Sequence, residues 1–158
     1  MKWMKRLLIL GMCLLFSCAK QVTQEEVIEV KPSEEVKEEV QTDMIMKIND
    51  TKVNVLWEAN ETVEALKEEL LKQPIEISMS MYGGFEQVGS LGITLPSKDK
   101  QMTTSIGDIM LYTSNQIVVF YGSNSWSYTK LGKMIDLSNE EITELLSNGD
   151  VTLTLEME

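Results

Sequence analysis

Tyr121, Trp126 and Tyr128 stand close together in the stretch YGSNSWSYTKLG, residues 121–132. Aromatic rings with polar tips at this spacing can line a groove for an extended or proline-containing peptide, and they can equally cap the end of a β-barrel. Tyr112 ends an apolar strand run and suits a groove mouth or a barrel rim alike. Two other constellations suggest different chemistry. Met44-x-Met46 and Met79-x-Met81 offer thioethers of the kind that bind Cu(I). However, Ile75, Ile77, Met79 and Met81 fall on one strand face, which reads as core. Glu86 and Asp108 form a carboxylate pair able to exchange protons. With 25 acidic residues in the chain, a chance pairing is the plainer account.

The missing residue types narrow the chemistry further. There is no histidine, Arg6 is the only arginine, and both cysteines, Cys13 and Cys18, lie near the start. Beyond residue 18 the chain therefore lacks Cys/His and Ser/His/Asp chemistry, His–Cys zinc sites and arginine clamps. No metal, cofactor or catalytic residue is expected. The net charge is −11, and it is unevenly placed. From residue 18 onward 11 lysines oppose 25 acidic residues. Such a surface repels phosphate backbones, so no nucleic-acid partner is expected. It also avoids an anionic membrane face unless something anchors it.

The first residues supply an anchor. Lys2, Lys5 and Arg6 precede the ten-residue apolar run 7–16, and Ser17-Cys18 follows. Ten residues span about 15 Å as a helix, half a bilayer core, so the run reads as a signal peptide rather than a permanent span. Leu15-Phe-Ser-Cys18 resembles the lipobox of bacterial lipoprotein signals. That resemblance implies removal of residues 1–17 and lipidation of Cys18, with palmitate among the acyl chains. The protein would then be an extracytoplasmic, membrane-anchored lipoprotein of a bacterium, with the lipid bilayer as a partner. The alternative is an ordinary secretory signal with a chance cysteine. Residues 18–43 follow as an acidic tether, too poor in apolar residues to order itself.

Residues 44–158 read as one domain with a core of its own. Residues 44–49 and 52–57 alternate about a turn at Asp50, the pattern of a hairpin. Asn60 caps a helix with Val63, Leu66 and Leu70 on one face, stopped by Pro74. Strands are predicted over 75–81, 85–88, 102–105, 108–112, 116–121, 127–134 and 151–157. Ser138-Asn-Glu-Glu141 is a capping box opening a second short helix, which ends before Gly149. The fold class is mainly β, a closed barrel of about eight strands with two short helices.

The stretch IGDIMLYTSNQIVVFYGSNSWSYTKLGKM, a capped helix and the last strand in GDVTLTLE resemble the bacterial cyclophilin-like domains. The early hairpin INDTKVNVLWEANETVEAL and the loop FEQVGSLGITLP extend the similarity over nearly all of 44–158. The resemblance implies a small cyclophilin-fold barrel and puts Gly107, Gly122, Gly132 and Gly149 at turns. Classical cyclophilins are peptidyl-prolyl isomerases that rely on a pocket arginine, and this domain has none. Phe85 and Gln87, in GGFEQ, only faintly match the Phe–Gln pocket of that family.

These readings converge on a non-catalytic, monomeric module that binds a peptide or small ligand. Its candidate groove comprises Phe85, Gln87, Tyr112, Tyr121, Trp126 and Tyr128. The alternative is an extracytoplasmic folding factor with weak isomerase activity.

Overall fold

A computed structural model describes residues 43–158. The signal peptide over 1–17, Cys18 and nearly all of the tether lie outside the described residues. In chain order the elements are β1 (Met44–Ile48), β2 (Thr51–Val53), β3 (Val55–Trp57), α1 (Glu61–Leu70), β4 (Ile75–Tyr82) and β5 (Glu86–Ser90). Then come β6 (Lys100–Thr103), β7 (Asp108–Tyr112), β8 (Gln116–Phe120), β9 (Ser125–Met134), α2 (Asn139–Leu146) and β10 (Val151–Met157). Every strand pair is antiparallel. The order is β2-β1-β10-β4-β5-β8-β7-β9-β3, with β6 added to the first half of β9.

The two ends of this order, β2 and β3, are consecutive in the chain and separated by Asn54 alone. The sheet therefore curls into a nearly closed barrel. Asn54 is held at the seam from both sides. Its N–H donates to Asp136 Oδ1 at 3.1 Å and its carbonyl accepts from Ile135 N at 3.0 Å. The Trp57 indole N–H donates to the Met44 carbonyl at 3.0 Å, linking β3 to β1. The run 52–57, expected as one strand, is thus two strands serving opposite edges. Neither glycine nor proline marks the break.

The inward residues follow the period-2 pattern. Met46, Ile48, Ile77, Met79, Ile109, Leu111, Ile117, Val119, Leu131, Leu153 and Leu155 are buried in one cluster. Val63, Leu66 and Leu70 of α1 and Ile142 and Leu146 of α2 complete it. The Met79 thioether is thus core. Met81, expected on the same core face, lies near the end of β4 and is exposed. Both helix starts match their sequence signals. Asn60 Oδ1 accepts from Val63 N at 2.9 Å, and Ser138 and Glu141 form the reciprocal capping box. Gly107 and Gly149 have positive φ, 88° and 130°. Gly122 and Gly132 are needed for a different reason, close approach. A Cβ on Gly122 would lie 2.7 Å from Phe85 Cβ, and one on Gly132 2.8 Å from the Leu56 carbonyl.

Gln87 also belongs to this interior. It is fully buried, and its Nε2 donates to the carbonyls of Leu146 and Gly149, each at 2.7 Å. It thereby meets the last carbonyl of α2, which lacks a helical partner, and the Gly149 carbonyl in the turn that follows, while its own Oε1 is buried without a partner. Replacing Gln87 by Leu strands the buried Leu146 carbonyl, while the part-buried Gly149 carbonyl can turn to water, and one unmet buried polar group costs about 1–3 kcal/mol. We expect Gln87→Leu to lower stability by about 2 kcal/mol in urea unfolding, on the scale of a single buried polar group. An unchanged midpoint would refute the structural role.

Candidate functional site

The strands that bury Ile109, Leu111, Ile117 and Val119 inside the barrel must turn their alternate residues outward. On this outer face Met110, Val118, Phe120 and Tyr128 form a second apolar cluster, with Phe85, Val88, Met102 and Tyr112 packed against it. β9 runs past the end of β7. Its residues Thr129–Lys133 pair with β7, while Ser125–Tyr128 pair with β6. That extension carries Trp126 and Tyr128 beside the face.

A cavity of about 340 Å³ lies here. It is lined by Tyr82, Glu86, Val88, Tyr112, Gln116, Val118, Asn124, Trp126 and Tyr128. Tyr128 is buried and forms edge contacts with Tyr112 (centroids 6.0 Å, planes at 62°) and Phe120 (5.6 Å, 76°). Asn124 fixes its phenol, donating from Nδ2 to Oη at 3.0 Å. Tyr82 and Trp126 are 67% and 56% exposed and stand at the rim. Six of the eight aromatic residues from 43 to 158 thus gather on this one face; Trp57 and Tyr121 are the exceptions.

Of the six groove candidates, Tyr112, Trp126 and Tyr128 line the cavity, and Phe85 packs beneath it. Gln87 and Tyr121 do not join them, because strand alternation turns both inward. Tyr121 sits in the main core with its Oη buried and unpartnered. The sequence reading missed Tyr82, Gln116 and Asn124 as lining residues. Parity would have found Tyr82 and Gln116, since Tyr82 is in register with Glu86 and Gln116 with Tyr112.

The supposed Glu86–Asp108 pair does not exist as a unit. Phe120 stands between them, in register with Glu86 on one side and bonded through its carbonyl to Gly107 N on the other. Asp108 is saturated. Its Oδ2 accepts from Ser105 N and Oγ, and its Oδ1 lies 3.3 Å from Lys133 Nζ and 3.8 Å from Lys130 Nζ. A bulge between Ile109 and Met110 shifts the register and puts both lysines beside the same carboxylate. Glu86 is the opposite case. It is 6% exposed, its Oε2 has no partner, and no lysine lines its cavity. Burial pushes its carboxyl up to about 7. The Tyr128 phenol is raised by its own burial and then by the Glu86 charge, with the Asn124 hydrogen bond pulling the other way. Tyr121 is raised by burial first and by Glu86 second. Among the described residues no group of three His, Cys, Asp or Glu side chains could hold a metal ion.

The Glu86 shift fixes a pH dependence. The folded state holds this proton up to about pH 7, whereas the unfolded chain releases it near 4.5. The folded state therefore binds more protons between these values, and stability falls as pH rises through them. The full loss is on the order of 3 kcal/mol. We expect Glu86→Gln to remove most of this slope between pH 5 and 8 and to be more stable than the parent at pH 8. Parallel stability–pH profiles for the two proteins would show that Glu86 titrates normally.

The model of the cyclophilin-like family matches residues 46–156, from within β1 to the end of β10. No curated protein and no solved structure matches the chain. The family match covers well over half of the chain and nearly all of the barrel. The chain belongs to the cyclophilin-like family.

Proposed function

We propose that this protein is a non-catalytic binding module, held outside the cytoplasm by a lipid on Cys18, that takes its ligand in the outer-face cavity. The carrying observation is the half-open aromatic cavity with an unpartnered carboxylate in its wall. Aromatic residues and buried polar groups are costly on an outer barrel face unless something covers them. At about 340 Å³ the cavity is at the small end of ligand sites, which run from roughly 300 to 1,000 Å³. It suits a small molecule or one side chain of a peptide better than a long segment. Val88 and Val118 supply an apolar floor, and the amides of Gln116 and Asn124 supply hydrogen bonds that fix orientation.

The second reading is weak peptidyl-prolyl isomerase activity in a folding factor. Gln116 and Asn124 favour it as donors toward a peptide bond. The absence of arginine from residues 43–158 weighs against it.

Two measurements test these readings. In two-dimensional NMR of the full chain, proline-containing peptides and a metabolite set are expected to shift Tyr112, Trp126 and Tyr128. Exchange spectra of the same peptides should show no catalysed isomerisation. Catalysis would make the second reading correct, and an unresponsive cavity would remove the first. For the anchor, metabolic labelling with a fatty-acid analogue should mark the parent protein in a bacterial host and spare Cys18→Ala. Equal labelling of both would refute lipidation at Cys18.

A further inference from the structure

Resting on the reading of the outer-face cavity as a ligand site, we propose that its ligand is an organic ammonium ion, a small amine or quaternary ammonium group. Tyr82, Tyr112, Trp126 and Tyr128 come from three different strands to line one cavity, together with Glu86. An aromatic ring has a negative face, and a cation within about 6 Å of its centre is attracted to it. The Tyr112 and Tyr128 planes are inclined at 62°, so they form two walls of a cage and not a flat stack. An anionic ligand finds no counter-charge here, because neither lysine nor arginine lines the cavity. A neutral apolar ligand would fill the volume and leave Glu86 Oε2 as it is, buried and without a partner. An ammonium ion offers that carboxylate a counter-charge and the rings a cation together. The surface favours its arrival, since residues 43–158 carry 18 acidic side chains against eight lysines.

The cage also couples binding to pH. Other titratable groups facing Glu86 are Tyr82 of β4, Tyr112 of β7, Tyr121 after β8 and Tyr128 of β9. Phenols ordinarily titrate near 10, so the carboxyl is the group that changes charge around neutrality. A cation selects the ionised carboxylate and drives off its proton. Affinity therefore rises with pH through about 7, the value to which burial brings Glu86. Between pH 6 and pH 8 the ionised fraction grows about tenfold, and affinity should grow with it.

The test is an NMR titration of the full chain with choline and with its uncharged isostere 3,3-dimethylbutan-1-ol. Choline is expected to shift the Trp126 indole signal and the Tyr112 and Tyr128 signals, about tenfold more tightly at pH 8 than at pH 6. The isostere should bind at least tenfold more weakly. Glu86→Gln should lose about tenfold for choline, lose the pH dependence and leave the isostere unaffected. Trp126→Ala, at an exposed position where folding is not at stake, should weaken choline as well. Equal binding of choline and the isostere would overturn the cation assignment while leaving the cavity a ligand site. A cavity that answers to a peptide or metabolite but not to choline would do the same. A cavity silent to every probe would overturn both.

Discussion

Asn54 is where the sheet meets itself, and most of the architecture depends on that closure. A sheet with free edges exposes unpaired N–H and C=O groups along each edge. Here the two edge strands are joined by one residue, so the chain must pass from one edge to the other in a single step. The bonds from Asn54 to Ile135 and Asp136, and from Trp57 to Met44, hold that crossing. Once the sheet closes, the interior has a fixed volume, filled by strand side chains and the apolar faces of both helices. Gln87 also enters this space, its amide N–H groups bonded to the last carbonyl of α2 and to that of Gly149.

On the outside, two carboxylates flank Phe120 with opposite fates. The bulge in β7–β9 pairing gathers Lys130 and Lys133 around Asp108. With the Ser105 bonds added, Asp108 ties the start of β7 to β9 and has little capacity left for anything else. Glu86, opposite Phe120 on the far side, receives no such partners. Valines and rings surround it, and the Gln116 and Asn124 amides that share its cavity do not bond it, so desolvation dominates. The difference between a structural acid and a candidate binding group is set by which neighbouring strand carries the lysines, not by the carboxylates themselves.

This explains what could be read in advance. The helices were legible because Asn60 and Ser138 are local caps whose partners lie three residues away. β4 and β10 were legible because alternation is local too. The split of 52–57 was not, since Asn54 ends one pairing and begins another with strands distant in sequence. β6 and the start of β9 were each misplaced by two residues, and for one reason. They define each other, Met102 opposite Trp126, across a connection that no local pattern encodes. In the groove, aromatic type pointed to Tyr112, Trp126 and Tyr128. Proximity in sequence wrongly added Tyr121 and Gln87, whose parity sends them inward. From sequence Glu86 reads only as half of an acid pair, because burial without a partner is a property of the folded face.

Such a carboxyl is a standing cost to the fold at neutral pH. Replacement by an uncharged side chain of similar size would relieve it, and no packing argument calls for an acid opposite Phe120. Places where a chain departs from local consistency, without a compensating bond nearby, are where function is most often found. The rest of the face agrees with this. Trp126 stays exposed although its strand is firmly paired to β6, and Asn124 positions the Tyr128 phenol beside the cavity. An aromatic wall with exposed Trp126 and Tyr82 and one unpartnered carboxyl is expensive as surface. The missing compensation is the part that a ligand would supply.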